Sequence, residues 1–521
     1  MAAAPSSDLL KDFHKGIFEF AREFVDFPRY GKRLPKGPKI IHDPLWGTIK
    51  LEAWEVALLD LPLFQRLRQI HQISLASYVF PGCNHIRFEH TLGGMRQTRR
   101  LIAALNCHYP AGRPRFELKT LRTLRLAALF HDCGHSCFSH ITEELYGACP
   151  DMLAFLQSGQ PLKARPHEIL SSLILRSAPV KDFLGELEDE YGIEIDIERA
   201  ADWIIGKSPQ RRENKIHCEA QVINGPFDAD KLDYILRDAH YSGIPIGVDL
   251  ERLWAFCKVD QADNGAEVLS LDEAGVASLE QILFAKINLF AIVYHHPKIR
   301  AAEKMVQSLI ERAKEEPELA CFHVCERRLD LNRAAHYLWL TDEVFFCEAS
   351  RRKKEDPVRQ MLHDIRYRRF FVRALSIATD TVGAKCREEY GKLRKLSQPG
   401  VANYKAKRAL AQEILTASGL EKEIGPGDIW VDLPAEPSFK EVQNAFVRTA
   451  AGTLRKASDF FPVHYWSDSF KDHKWRGHVF CPPEHQQRVH EAALEVFARY
   501  GLRFEKSAGL SCHVAHPKAT V

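Results

Sequence analysis

A chain of 521 residues, 45% hydrophobic and 27% charged, is long enough to bury a large core, which excludes a disordered tail or a small disulfide-stapled module. Its 72 Lys and Arg against 69 Asp and Glu leave a formal charge of +3, too balanced to argue by itself for a nucleic-acid or membrane-surface partner. The 13 cysteines include no CxxC pair, no apolar run approaches the roughly 20 residues of a membrane span, and "MAAAPSSDLLKDF" lacks a signal-peptide pattern, so free thiols, a cytoplasmic location and no membrane partner are expected.

Residues 1–37 read as an N-terminal extension closing on "GKRLPKGPK". A helical core is expected over 38–320. It opens with a strand-like turn, "KIIHDPLWGTIKL", and continues through Leu58, Leu59, Leu61, Phe64, Leu67 and Ile70 at helical spacing. One hairpin is expected in "FCKVDQADNGAEVLSLDEAG", with Asn-Gly turn chemistry at its tip. Residues 321–425 read as a basic region of long helices. Between Arg351 and Leu410 stand 17 Lys and Arg and 6 Asp and Glu, a local charge of +11 that leaves −8 on the rest of the chain. Such a window is either a solvated helix face or a surface that meets phosphates, those of nucleic acid included. Residues 426–521, with strand-like "GDIWVDLPAEPSF" and "RGHVFCPP" ahead of a helix, read as a small α+β lobe. The expected fold class is therefore mainly α, a helical core with a small α+β C-terminal lobe.

The segment "LRLAALFHDCGHSCFSH" runs an apolar helix into His131 and Asp132, then adds His135 and His140. A His-Asp pair at a helix end can aim an imidazole nitrogen and a carboxylate oxygen at one ion, or it can simply cap the helix. In "FDADKLDYILRDAHYSGIP", a helix from Asp230 puts Lys231, Tyr234 and Asp238 at i, i+3 and i+7, so an ammonium, a phenol and a carboxylate share one face. An amphipathic surface helix presents the same face. His90 stands alone in the basic amphipathic stretch "RFEHTLGGMRQTRRL".

Together these segments resemble the HD-domain phosphohydrolases, whose defining pattern is a His, a His-Asp pair and a distant Asp that share a divalent metal. His90, His131, Asp132 and Asp230 match that pattern. The resemblance runs in order through "KIIHDPLWGTI", "DLPLFQRLRQIHQI", "YVFPGCNHIRFEHTLG", "LFHDCGHSCFSH", "PHEI", "FDADKLDYILRDAHYSGI" and "VYHHPKIR". It narrows to the deoxynucleoside triphosphate triphosphohydrolases, the dGTPases and SAM-and-HD-domain enzymes. No SAM domain is recognisable ahead of the core, and Cys133, Ser136 and Cys137 depart from the usual loop residues. With two imidazoles, two carboxylates and no thiolate, the set suits Mn, Fe or Mg more than zinc, Cys133 and Cys137 being the competing ligands.

The resemblance implies hydrolysis at the α-phosphorus of a deoxynucleoside triphosphate, releasing deoxynucleoside and triphosphate. It implies a catalytic dyad of His140 and Glu143, further active-site histidines at His135 and His167, and phosphate contacts from Arg87 and Lys231. Gln72, Tyr234, Asp238 and Tyr294 match sugar and base contacts, and Ile73 matches the bulky aliphatic that crowds a 2′ hydroxyl. Lys39, Asp60, Gln65 and Arg68, with Arg368 in "YRRFF", resemble a regulatory nucleotide site between subunits of a homo-oligomer, a dimer or tetramer. Two other readings stand beside this one: an HD phosphohydrolase for another nucleotide or a nucleic-acid end, and a nucleotide-sensing or nucleic-acid-binding protein whose HD site is vestigial.

Overall fold

The computed structural model describes residues 7–25, 34–109, 115–158, 164–206, 218–315, 322–324 and 326–505. As expected, it is mainly helical, with small sheets. The chain forms two compact units, both discontinuous: Met1–Leu289, Cys321–Glu348 and Ser438–His464 make the first, and Phe290–Ala320, Ala349–Pro437 and Tyr465–Val521 the second. One crossing falls at 320/321, at the linear division there, but none falls at 37 or 425, and the chain also crosses after 289, 348, 437 and 464. Residues 1–6 and 26–33 of the expected N-terminal extension lie outside the described residues.

In the first unit the Ser7–Val25 helix buries Phe13, Ile17, Phe20 and Val25, and Phe20 meets Trp339 edge-on at 5.6 Å. This part of the extension is thus core rather than appendage. Lys39–Asp43 and Gly47–Leu51 pair as an antiparallel hairpin, closed where Gly47 takes a φ of 68°. The Leu118–Phe130 helix is buried from Thr123 to Phe130, its closing Leu126–Phe130 run being wholly apolar and the buried Arg125 being paired with Glu55. The Arg87–Asn106 helix packs on it and also on the Ala229–Ser242 helix. Cys257–Gln261 and Glu267–Asp272 form the expected Asn-Gly hairpin, with Gly265 at φ 75°. Phe446–Arg448 and Leu454–Lys456, from the expected C-terminal lobe, extend this same sheet.

In the second unit Gly477–Cys481 lies between Val372–Ile377 and Trp430–Asp432, antiparallel to both. The basic region is therefore not helices alone. Val372–Ile377 is a strand because Ala374 to Ile377 are buried against the sheet's covering helices, a tertiary constraint that local spacing does not show. Arg352 pairs with Asp356, Arg369 with Asp364 and Lys392 with Glu388, acids the +11 already counts, while Arg394 with Glu436 and Arg408 with Glu311 draw on acids outside the window.

The reading of apolar runs needs one correction. The helical stretch Glu273–Tyr294 is long and apolar enough to cross a membrane by length and composition, with a hydropathy of 1.6. Half of it is buried in the protein, including Leu279, Ile282, Leu283 and Leu289, as in a core helix. The ten described cysteines are all free.

Candidate active site

Three helix ends build the site. Ile86 is extended and its N–H is accepted by Glu89, which starts the Arg87–Asn106 helix and turns His90 inward, 1% exposed. The Leu118–Phe130 helix ends at His131, and consecutive tight turns from Phe130 to His135 let His131 and Asp132 face one point. Asp228 caps the Ala229–Ser242 helix through Lys231 N, placing Asp230 in its first turn.

The four expected ligands converge. His90 Nε2 is 3.0 Å from Asp230 Oδ1 and 3.5 Å from Asp132 Oδ2, while His131 Nε2 is 3.8 Å from Asp230 Oδ1 and 3.5 Å from Asp132 Oδ1. The other nitrogen of each imidazole is already engaged: His90 Nδ1 with Asp233 Oδ2 at 2.8 Å, and His131 Nδ1 with the Ala128 carbonyl at 2.7 Å. Acceptors at both Nδ1 atoms fix the Nδ1–H tautomers and turn both Nε2 lone pairs toward the carboxylates, the arrangement that a divalent cation requires. The carboxylates draw positive charge to the same point, a proton competing there with any cation. Burial opposes charge at His90, yet hydrogen bonds with Asp230 and Asp233 lift it to about 10. At Asp132 burial is likewise outweighed, first by Arg87 and then by the neighbouring imidazoles, which hold the carboxyl well below its usual range. Cys133 and Cys137 stay out of the cluster; burial pushes the Cys133 thiol up to about 12 and raises Cys137 too.

A second group lies beside the first. Glu143 Oε2 is 2.8 Å from His140 Nδ1 and Oε1 is 2.6 Å from His167 Nδ1, so one carboxylate orients two imidazoles. His135 stacks on His167 with centroids 3.9 Å apart; its Nε2 lies 3.4 Å from Asp132 Oδ1, and its Nδ1 is buried without a hydrogen bond among the described residues. Arg87 spans the two groups: it pairs with Asp132, donates to Ser139 Oγ at 2.8 Å, and brings Nη2 to 3.4 Å from His140 Nε2. Phe138 and Ser139, just before His140, both have positive φ, at 56° and 55°. Such non-glycine strain costs about 1–3 kcal/mol per residue and gathers where surrounding structure enforces it.

The remaining expected residues are placed as follows. Lys231 Nζ donates to the Gly225 carbonyl and pairs with Asp228. Asp238 is 2.9 Å from the buried His85 Nε2, and His85 stacks on Tyr241 at 4.5 Å. Gln72 Oε1 is buried without a hydrogen bond among the described residues, Ile73 is half-buried, and Tyr234 is half-buried with its phenol pKa raised by burial. Tyr294 belongs to the second unit. On the surface, Lys39 Nζ is 3.7 Å from Asp60, and Arg68 donates to Gln65 Oε1 at 2.8 Å while its guanidinium lies 3.8 Å from the Phe88 ring centroid. Arg368 is in the second unit, at φ 58°.

Sequence reading missed the residues that hold these side chains. Asp233 accepts from Arg237 Nε at 2.9 Å and from Trp46 Nε1, and Arg237 reaches Asp43 at 2.9 Å, which ties the first hairpin to His90. Gly93 permits the approach, since a Cβ there would fall 1.8 Å from Asp233 Oδ1. Buried Arg66 donates to the carbonyls of Cys133 and His135 and holds the loop between them. The one signal was a second aspartate three residues after Asp230, one helical turn along.

An HD-domain model matches residues 87–235, and a model described as an HD-associated region matches residues 248–500. The human protein named deoxynucleoside triphosphate triphosphohydrolase SAMHD1 is 29% identical over 351 residues, 64% of this chain and 54% of that one. The Dictyostelium discoideum homologue of that name is 25% identical over 367 residues, 70% of this chain and 65% of its own. An uncharacterized Methanocaldococcus jannaschii protein, MJ1154, is 27% identical over 282 residues, 54% of this chain and 51% of its own. The chain spans about half the length of the curated relatives that head this comparison. With His90, His131, Asp132 and Asp230 inside the first match and the second match following, the chain carries an HD domain and an HD-associated region.

Proposed function

We propose that the protein hydrolyses deoxynucleoside triphosphates to deoxynucleoside and triphosphate with a divalent metal held by His90, His131, Asp132 and Asp230. The observation that carries this reading is the adjacency of the quartet to the Glu143-oriented imidazoles, with Arg87 touching both Asp132 and the neighbourhood of His140. The ion, when bound, supplies polarisation of a phosphoryl oxygen and acidification of water. Mn, Fe and Mg fit the donor set better than zinc.

The protein's own groups do the rest. Glu143 holds the proton of His140 on Nδ1, so His140 Nε2 is the atom that gives a proton to, or takes one from, water or the leaving 5′ oxygen. His135 and His167 line the phosphate space, and Arg87 and Lys231 balance the triphosphate charge. Gln72, Tyr234 and Asp238 contact sugar and base. Ile73 crowds a 2′ hydroxyl and leaves it without a partner, which rejects ribonucleotides. A regulatory nucleotide at Lys39, Asp60, Gln65, Arg68 and Arg368, between subunits of a cytoplasmic homo-oligomer, completes the reading. The names of the relatives support it, as does the resemblance of the ordered motifs.

The test is to incubate the purified protein with each dNTP and each NTP in Mn, Mg or Fe and resolve the products by chromatography. Tripolyphosphate and deoxynucleoside are expected. Release of orthophosphate or pyrophosphate assigns the site to another nucleotide phosphohydrolase, and no turnover with any metal overturns the enzymatic reading.

A further inference from the structure

Asp342 begins the Asp342–Ser350 helix, inside the HD-associated match and more than 100 residues past the HD match, yet its carboxylate is spent on Phe138, within the HD match, and on His71, ahead of it, all in the first unit. It is 4% exposed. Oδ1 accepts from Phe138 N at 2.6 Å, and Oδ2 accepts from His71 N at 3.0 Å and faces His71 Nδ1 at 2.8 Å. Phe138 is the first of the two positive-φ residues that lead into His140. Its ring is met edge-on by Phe345 at 5.1 Å and Phe346 at 5.4 Å, from the helix that Asp342 opens.

The second positive-φ residue is tied into the same knot. Ser139 Oγ donates to the His71 carbonyl at 2.7 Å and accepts from Arg87 Nε at 2.8 Å. Thr341 Oγ1 donates to Gln69 Oε1 at 3.1 Å, one turn away. A backbone pair with left-handed φ and no glycine relaxes unless outside groups hold it; here Asp342, Phe345 and Phe346 hold Phe138, while His71 and Arg87 hold Ser139.

We propose that Asp342 is a positioning residue that the HD-associated region supplies to the active site: its carboxylate locks the Phe138–Ser139 turn to the His71–Gln72 segment, so that His140 and Gln72 address one substrate. This rests on the proposed hydrolysis only for what His140 and Gln72 do. The clamp gives the associated region a stated task in the site, the enforcement of a loop conformation that the HD helices do not hold unaided.

The experiment compares full-length wild type with Asp342→Ala, Asp342→Asn and a control, Asp151→Ala. Asp151 is also a buried aspartate serving the neighbouring turn, where both its oxygens lie 3.0 Å from Ala334 N, but it does not touch the 138–139 turn. Hydrogen exchange by mass spectrometry is read on peptides covering 69–73 and 135–142, beside metal content, kcat and KM. Asp342→Ala is expected to raise exchange in both peptides with metal content unchanged, and to lower kcat by about 10- to 100-fold, the scale of a roughly 1 Å misplacement. Asp342→Asn keeps an oxygen for Phe138 N but turns an NH2 toward His71 N, so a lesser loss in the same direction is expected, and it is read by the same criteria if Asp342→Ala does not fold. Asp151→Ala is expected to melt lower while holding kcat within about twofold, as independent sites do. Wild-type exchange in residues 135–142 of the Asp342 variants overturns the clamp, and so does an equal kcat loss in Asp151→Ala. A wild type that turns over no dNTP defeats the proposed function instead, and the exchange arm still decides the clamp.

Discussion

Asp233 Oδ2 stands 2.8 Å from His90 Nδ1, on the side of the imidazole away from Asp230, and is itself held by the Arg237 guanidinium at 2.9 and 3.0 Å. A carboxylate in that position fixes the tautomer and raises the basicity of the nitrogen that faces the cluster. Asp233→Asn keeps the volume and one acceptor but removes the charge. It is expected to weaken divalent-metal binding by about 10- to 100-fold, read by calorimetric titration of the chelator-treated protein. Unchanged affinity means that His90 is oriented by packing alone.

Glu143 shares its two oxygens between His140 and His167, so its loss disorders both imidazoles, whereas loss of His140 removes one. His140→Ala is expected to retain metal and bind nucleotide while kcat falls by about 10²- to 10⁴-fold. Glu143→Gln is expected to fall at least as far. If His140→Ala loses metal instead, His140 is a ligand and the dyad assignment is wrong.

The cluster also sets a pH dependence. His90 rises from 6.5 to about 10, with burial opposing and the Asp230 and Asp233 hydrogen bonds prevailing. A group whose folded pKa is raised stabilises the fold fully below its unfolded pKa, and that contribution is lost as pH climbs toward the folded value. Protein stripped with a chelator is therefore expected to melt progressively lower between about pH 6.5 and 10. Metal binding needs the imidazoles neutral, so affinity is expected to rise over the same window. Melting curves of stripped and metal-loaded protein across this range check both; a stripped protein as stable at pH 9.5 as at 6.5 removes His90 from the account.

How much of this was legible in the chain depends on whether the cause was local. The quartet was legible through the ordered motifs that resemble the HD-domain phosphohydrolases; spacing and helix ends alone left His131 and Asp132 equally readable as a helix cap. Asp233 was not, since an aspartate within an amphipathic helix looks solvated until Gly93 is seen to admit it. Asp342 was hidden by distance, being 271 residues from His71, and no period links the two. The Val372–Ile377 strand was missed because only its partners, Gly477–Cys481 and the helices over it, make those residues a strand.

The regulatory nucleotide site proposed above would lie on a separate surface. Arg68 lies over Phe88, two residues ahead of His90 on the same helix, and donates to Gln65; Lys39 and Asp60 are exposed and only 3.7 Å apart. An exposed guanidinium stacked on an aromatic ring, with much of its fork still turned to solvent, is suited to a base edge or a phosphate. Arg68→Ala removes that group but leaves the His90 contact with Asp233 in place, so metal content and the basal rate are expected to hold. If a nucleotide binds here between subunits, it favours the assembled state by its differential affinity, and assembly raises the rate. The variant is then expected to lose both activation by a second dNTP and the nucleotide-dependent shift in sedimentation, and Arg68→Lys, which keeps charge without the planar fork, to recover only part of each. Matching activation and sedimentation in wild type and Arg68→Ala would reduce Arg68 to a packing contact on Phe88 and leave the catalytic reading standing without a regulatory site.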